Sequence, residues 1–431
     1  MSYEINFAEN EEYIGIYGVE FNGSNPGKRL YDARYLKFRK FKPSSTTTAG
    51  YDAFIKTTDS PFAIKEVVTK YNTSTGKQEV LAYEGDDNWS SAISDSNHNR
   101  MIEFPKFYYK RPSQFRWEVS TTQHPGFKPS PMHYRNGVMH DKVWVSKYRV
   151  NSSYLSQSGQ VPVTNGSHTT DGSGYTITKF RNEFRSRGCY VWDYATQCSI
   201  NMLMFVKYAT MNIQSLIGLG WSSTPGITAD NLANTGKINT GGSDSVKGKD
   251  GYSGATVNTN AAIVAMGIDN YWGNIWTFCD GMVMGNSGGN KVYINTDIEH
   301  ITANPSLSNL GGYSLVGTNA ATSTGTDAFS WISNSMAYDS NVDWAQYPTS
   351  TVGVNTVSTN NNTNNRRLYS QSNYFINDGY WMYKSDGTNL HVCLNGGDWA
   401  AGFACGPLCL AAYSPLAFAY AYVGASAIVL P

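Results

Sequence analysis

The six cysteines are the residues best suited to chemistry in this chain of 431 residues. Thiolates can act as nucleophiles, form disulfides or bind zinc. They are Cys189, Cys198, Cys279, Cys393, Cys405 and Cys409. No two of them form a CxxC pair, and no histidine stands beside them at zinc-site spacing. We therefore expect reduced, buried thiols, no metal site and no catalytic residue.

Aspartate carboxylates are the other groups that could bind an ion. Asp269, Asp280 and Asp398 lie near apolar segments, but they are dispersed in sequence. Calcium needs six to eight oxygen ligands, so these three do not define a site. We expect no cofactor, and a structural calcium ion stays open as an alternative.

Large side chains alternate with alanine near the end of the chain. The larger residues are Leu416, Phe418, Tyr420 and Tyr422, and the alanines are Ala417, Ala419 and Ala421. In a strand this period of two puts the two sets on opposite faces. We expect the alanines to pack against the protein and the larger row to face outward, because buried tyrosine hydroxyls need polar partners. The reverse orientation is the alternative.

The amino-acid types of this region are also restricted. From Ala400 onward there is no Lys, Glu, Gln, Met or Trp. These five types cannot be reached from an Asn codon when its two adenines mutate and its final pyrimidine stays. Mutation of adenines in a template rich in Asn codons predicts such a composition, and an apolar bias alone is the competing explanation.

The overall composition favours a recognition protein. Lys+Arg and Asp+Glu are equal at 33 each, which argues against a nucleic-acid binder because phosphates require a basic field. The chain has 30 Tyr, 11 Trp and 41 Gly, and such residues are typical of adaptable binding surfaces. The N-terminus is acidic and lacks the apolar core of a signal peptide.

The uncharged stretch after Asp398 resembles a membrane span only in its length and lack of charge. Pro407 and Pro415 interrupt it, and no Lys or Arg flanks its end. We therefore expect no membrane insertion.

The pattern along the chain predicts two domains. Residues 1–100 are expected to form a β-rich attachment or assembly domain, ending after a polar, loop-like segment at 86–99. Residues 101–431 are expected to form an α+β ligand-binding domain. It would contain a strand at 144–150, helices at 178–187 and after Asp193, long polar loops and C-terminal strands.

Several short motifs occur in the order found in one known fold. The segment 272–276, WGNIW, resembles the GNxWEW motif of the formylglycine-generating-enzyme type of C-type lectin fold, and 396–399, GGDW, resembles its GGSW turn. The segment 423–426, VGAS, is similar to the terminal GFR segment of that fold. Together with 104–108 and 212–215, these motifs resemble the variable proteins of diversity-generating retroelements, notably phage tail receptor-binding proteins. Thr277 and Ser426 depart from the pattern, where the family commonly has an acidic residue and an arginine.

The resemblance implies a C-type lectin-like domain with long loop insertions, in which hypervariable side chains occupy a rigid scaffold. It implies a variable region at about 395–431, often in a homotrimer at the tip of a tail fibre. Its ligand-binding positions, carried over to this chain, are Ala400, Ala401, Phe403, Ala404, Ala411, Tyr413, Leu416, Phe418, Tyr420 and Tyr422. Its partners would be a host-cell receptor, either protein or glycan, and other phage tail proteins.

Two other functions stay open. Formylglycine-generating enzymes use two cysteines just after the GGSW-like turn, near the position of Cys405 and Cys409, but the spacing here differs and no histidine or carboxylate lies nearby in sequence. A carbohydrate-binding lectin-like module is the second alternative, although Glu-Pro-Asn and Gln-Pro-Asp loops are absent. We expect a non-enzymatic phage receptor-binding protein, located in the virion and made in the host cytoplasm without a signal peptide.

Overall fold

The structure is a computed structural model, and it describes residues 15–23, 26–35, 61–166, 169–223, 237–246, 249–285, 290–301, 304–320, 329–339, 341–352, 376, 378–382 and 390–431. These residues form mostly β-sheet with few helices. The helices are α1 (Trp89–Ser94), α2 (Ile177–Arg185), α3 (Tyr194–Tyr208) and α4 (Gln214–Ile217). None of the described helices is long and apolar enough to cross a membrane.

Twelve strands precede or flank the helices in the first half of the chain. They are β1 (Ile16–Glu20), β2 (Lys28–Tyr31), β3 (Lys65–Asn72), β4 (Lys77–Tyr83), β5 (His98–Pro105), β6 (Tyr108–Ser113), β7 (Arg116–Ser120), β8 (Lys128–Pro129), β9 (Tyr134–Arg135), β10 (Val138–Met139), β11 (Lys142–Ser146) and β12 (Tyr190–Val191). The later strands are β13 (Gly251–Tyr252), β14 (Ile263–Ala265), β15 (Ile268–Asp269), β16 (Trp276–Gly285), β17 (Lys291–Ile294), β18 (Ser314–Thr318), β19 (Phe329–Ile332), β20 (Thr351–Val352), β21 (Gly379–Trp381), β22 (Leu390–Gly396), β23 (Gly406–Pro415), β24 (Val423–Gly424) and β25 (Ala427–Val429).

Three larger sheets organise these strands. The five-stranded sheet has the order β2-β1-β7-β6-β8, and the six-stranded sheet has the order β12-β25-β11-β5-β3-β4. The nine-stranded sheet has the order β18-β17-β16-β22-β23-β21-β19-β20, with β24 parallel to β16. Smaller sheets are β13-β14-β15 and the β9-β10 hairpin. The long C-terminal strands thus lie at the centre of the largest sheet.

The sheets cross the predicted domain boundary at residue 100. Val19 of β1 pairs with Trp117 of β7, and β3 pairs along its length with β5. The C-terminal strand β25 joins the same sheet, with Val429 opposite Trp144. Within the described residues, the two sides of residue 100 therefore share sheets, because long-range strand pairing overrides the local change in composition. Residues 1–14 and 36–60 of the predicted attachment domain lie outside the described residues.

The two predicted helices are present, and their ends follow from local chemistry. Thr176 Oγ1 accepts a hydrogen bond from Lys179 N at 3.3 Å at the start of α2, and Gly188 follows that helix with a φ of +62°. Asp193 caps α3 by accepting from Thr196 N at 3.1 Å. All fifteen residues of α3 are buried, so its methionine-rich stripe lies in the core as expected. The polar segment at 86–99, in contrast, contains α1 rather than loop alone.

Two buried ion pairs join the helices to the body of the protein. Arg135 binds both carboxylate oxygens of Asp193, at 2.6 and 2.9 Å. Arg181 of α2 binds both oxygens of Asp280 on β16, at 2.8 and 2.7 Å. The main chains of Asp193 and Asp280 also form a bridge, which brings the two pairs together. Bidentate geometry of this kind offsets the cost of removing four charges from water.

Candidate functional site

The GGDW corner (residues 396–399) packs directly against the 272–276 segment. Gly273 N donates to Gly396 O at 3.1 Å, and Trp399 N donates to Asn274 O at 3.2 Å. Gly397 has a φ of +83°, and a Cβ on it would lie 2.4 Å from Cys405 Sγ. Only glycine fits this close approach, because both the backbone angle and the space exclude a side chain.

Asp398 connects the corner to the 272–276 segment and to the residue that follows the corner. Its Oδ2 accepts from Trp276 Nε1 at 3.0 Å, and its Oδ1 accepts from Ala400 N at 2.8 Å. The terminal motif reaches the same place, since Trp276 pairs with Val423 in the parallel contact between β16 and β24. Three segments that resemble the motifs of one fold are thus in direct contact.

Arg149 contacts the residue at which the terminal motif departs from the family pattern. Its NH1 donates to Ser426 Oγ at 3.2 Å, and its NH2 donates to Asn270 O at 3.0 Å. Burial lowers the pKa of Arg149 to about 10. The oxygens that this guanidinium contacts, Ser426 Oγ and Asn270 O, are neutral groups.

The predicted strand at 416–422 is wrong. The strand β23 ends at Pro415, and Phe418 N donates to Pro415 O at 3.0 Å to close a turn. Proline cannot donate to a strand ladder, which explains why pairing stops there. Residues 416–422 are here called the aromatic turn, and Ala419 within it forms an isolated β-bridge to Thr169.

Burial divides the ten predicted ligand-binding residues into two groups. Those buried in the chain are Ala400, Ala401, Ala404, Ala411, Phe418 and Tyr422. Those only partly buried are Phe403, Tyr413, Leu416 and Tyr420. The prediction that the larger residues face outward is wrong for Phe418 and Tyr422, which are 3% and 9% exposed. A turn does not place alternate residues on opposite faces as a strand does. Ala419 and Ala421 are buried as expected, whereas Ala417 is partly buried. A ligand-binding role for the ten stays a prediction.

The one partly exposed ring of the aromatic turn, that of Tyr420, lies against two buried rings. The ring of Tyr420 meets that of Tyr422 edge to face at a centroid distance of 4.4 Å, and Phe418 lies 6.3 Å from Tyr420. Tyr422 in turn lies 6.5 Å from Trp399 of the GGDW corner. Burial, and then the neighbouring Tyr413 hydroxyl, raise the pKa of Tyr422 well above its usual value. The aromatic turn is therefore a fixed surface supported from within.

All six cysteines are buried free thiols. Burial raises the pKa of Cys405 and Cys409 well above the ordinary value, and the carboxylates of Asp378 and Asp398 act in the same direction. Cys405 Sγ donates to Asp398 O at 3.4 Å. These thiols hold little nucleophilic thiolate at neutral pH.

The three aspartates considered as calcium ligands point to different partners. Asp269 accepts from Ser243 N at 3.1 Å, Asp280 binds Arg181, and Asp398 binds Trp276. A trio that sequence reasoning missed, Asp297, Glu299 and His300, places ligand atoms within 4.8 Å of one another near the surface. Within this trio, His300 Nδ1 and Asp297 Oδ1 already pair with each other at 2.9 Å. We therefore do not assign an ion site to it.

No protein-family model matches the chain. No curated protein matches its sequence. Among solved structures, the Major Tropism Determinant U1 variant aligns over 85% of this chain and 71% of its own, with 12% identity and a TM-score of 0.30. The P3c variant aligns over the same shares with 10% identity and a TM-score of 0.29, and the M1 variant with 13% identity and a TM-score of 0.28. Similarity at this level does not establish a shared fold.

Proposed function

We propose that this chain is a phage receptor-binding protein whose C-terminal surface contacts a ligand on the host bacterium. The observation that carries the proposal is the aromatic turn, where the partly exposed ring of Tyr420 rests on the buried rings of Phe418 and Tyr422. Large, rigid side chains give contact area with little loss of side-chain entropy. Residues Phe403, Tyr413, Leu416 and Tyr420 are the contact residues in this proposal, and the buried members of the predicted set support them.

The proposed architecture is a C-type lectin-like domain of the formylglycine-generating-enzyme type. It is supported by the strand, helix, helix order from β11 to α3 and by the contact of the 272–276 segment with the GGDW corner. Diversification by a retroelement, assembly as a homotrimer with other tail proteins and a place in the virion belong to the same proposal. They rest on the composition and motifs of the sequence.

We also propose that the chain is not an enzyme. An oxidase of the related type would need reactive thiols after the GGDW corner. Cys405 and Cys409 occupy that region, but both are buried and their raised pKa values favour the unreactive thiol form.

Cell binding tests the proposed surface. The purified chain, labelled with a fluorophore, is applied to a panel of bacterial strains, beside a variant with Phe403, Tyr413 and Tyr420 each replaced by Ser. The matched control is Tyr134→Ser, which removes a tyrosine that is 47% exposed on the β9-β10 hairpin. We expect the parent and the control to bind at least one strain and the triple variant to bind at least tenfold more weakly. Unchanged binding by a folded triple variant contradicts the proposal.

A further inference from the structure

An open cleft of about 470 Å³ lies beside the aromatic turn. Its lining includes Thr178, Lys179, Asn182 and Glu183 of α2, together with Asn304 and Ala417. Ala417 is the partly buried alanine of the aromatic turn. The cleft therefore reaches the aromatic turn at Ala417. Its size is within the range of small-molecule and cofactor sites, about 300–1,000 Å³.

The charged groups of the cleft already have partners. Lys179 Nζ lies 4.8 Å from the ring centroid of Tyr175, in cation–π geometry. Glu183 Oε2 accepts from Arg187, just beyond the end of α2, at 2.9 Å. The site as a whole thus carries one positive and one negative group, both engaged, and offers no net charge to a ligand.

Neutral polar groups supply the rest of the lining. Thr178 and Asn182 stand one helical turn apart on the same face of α2, and the Thr178 hydroxyl donates a hydrogen bond to Asn304 Oδ1 at 3.4 Å. Hydroxyl and amide groups can both donate and accept hydrogen bonds, which matches the hydroxyl groups of a sugar. Apolar atoms make up about as much of the lining surface as polar atoms do.

We propose that this cleft binds one or two neutral sugar units of a host-surface glycan. The inference rests on the proposed function and assigns the glycan class to the receptor. A purely apolar ligand would match only half of the lining, and a strongly charged one would find its counter-charge already paired.

Saturation-transfer NMR with defined probes tests the cleft. The probes are the methyl glycosides of glucose, galactose, mannose and N-acetylglucosamine, together with lactose, maltose, cellobiose and chitobiose. The test variants are Asn182→Ala and Thr178→Val, which change the lining without touching the core. Ser186→Ala, an exposed change at the end of the same helix, is the matched control. We expect at least one probe to bind, both test variants to weaken it tenfold or more, and the control to bind as the parent does.

Three results would overturn the inference. They are the absence of transfer from every neutral probe, equal binding by parent and Asn182→Ala, and binding of N-acetylneuraminic acid alone. Cell binding separates this failure from that of the proposed function. If Asn182→Ala binds cells as the parent does while the aromatic triple variant does not, the receptor surface stands without the cleft.

Discussion

The indole Nε1 of Trp276 donates a hydrogen bond to Asp398 Oδ2 at 3.0 Å, inside a region where Trp276 is 5% and Asp398 is 7% exposed. The other carboxylate oxygen accepts from Ala400 N at 2.8 Å. One side chain thus satisfies a donor on β16 and a donor at the start of the predicted variable region. The contact fixes the position from which the chain enters that region.

Substitution of Asp398 by Ala removes the carboxylate that accepts from Trp276 Nε1 and from Ala400 N, and both donors stay buried. We expect Asp398→Ala to lower the free energy of unfolding by about 2–4 kcal/mol, since each unsatisfied buried group costs about 1–3 kcal/mol. Denaturant unfolding gives this value. Trp276→Phe removes one partner, and its effect should be smaller in the Asp398→Ala background. Additive effects of the two changes would mean that the hydrogen bond is energetically unimportant.

Local chemistry explains which features could be predicted from the sequence. The helix α3 could be predicted from Asp193, the capping residue directly before it, and from the apolar spacing within it. The aromatic turn could not be predicted, because its path depends on Pro415 and on a bridge to Thr169, about 250 residues earlier in the chain. The same holds for the boundary at residue 100, which is crossed by pairing between β1 and β7 and between β3 and β5.

The proposed cleft shows the same limit of sequence reasoning. Asn182, Asn304 and Ala417 come from three distant segments, and none stands in a motif. Polar residues on the exposed face of a short helix are typical of solvated surfaces. Only the folded chain brings them to one opening.

Asp378 should make stability depend on pH. It is fully buried, its Oδ2 accepts from Leu408 N at 2.6 Å, and among the described residues its Oδ1 has no hydrogen-bond partner. Burial raises the pKa of Asp378 to about 8 from an ordinary 3.8. Between these two pH values the folded chain holds a proton that the unfolded chain has released, so stability should fall as pH rises from about 4 to 8.

The variant Asp378→Asn should remove that slope and unfold at higher denaturant concentration than the parent at pH 8. The control is Asp95→Asn. Lys70 lowers the pKa of the partly exposed Asp95, so the contribution of Asp95 to folding stability is lost as pH falls. Unfolding curves at pH 5 and pH 8 compare the three proteins. An identical slope in parent and Asp378→Asn contradicts the assignment.

The ion pair between Arg135 and Asp193 should contribute more than the cap that Asp193 also provides. Both side chains are 1% exposed, and Asp193→Asn keeps a capping oxygen while it removes the charge that Arg135 needs. We expect a loss of about 3–5 kcal/mol, as for other broken buried pairs. Thr176→Ala, which removes only the cap of α2, should cost about 1 kcal/mol. Equal losses in denaturant unfolding would show that the buried pair adds nothing beyond the cap.

The cysteines should resist modification in the folded chain. All six are buried, and burial raises the pKa of Cys189 to about 12. At pH 8 we expect a disulfide reagent to label them only as the chain unfolds, and to label all six in denaturant. Labelling followed by mass spectrometry identifies each site. Rapid, selective reaction of Cys405 or Cys409 in the folded chain would revive the oxidase alternative.

The two tyrosines in edge-to-face contact should differ in their tolerance of substitution. Tyr422 is buried between Tyr420 and Trp399, so Tyr422→Ala should cost about 3–5 kcal/mol, as other large core truncations do. Tyr420 is partly exposed, and Tyr420→Ser should cost less, because part of its ring already meets water. The matched comparison is Phe418→Ser, which puts a hydroxyl at a site that is 3% exposed.

Thermal and denaturant unfolding of the three variants decides between two uses of this turn. If Tyr420→Ser folds well while Tyr422→Ala and Phe418→Ser do not, the exposed ring is free to vary and the buried rings are its scaffold. If all three are equally tolerated, the turn is not fixed from within, and the physical basis of the proposed recognition surface is lost. Because Tyr420 and Tyr422 are only two residues apart, a difference between them reports on burial rather than on the location of the segment.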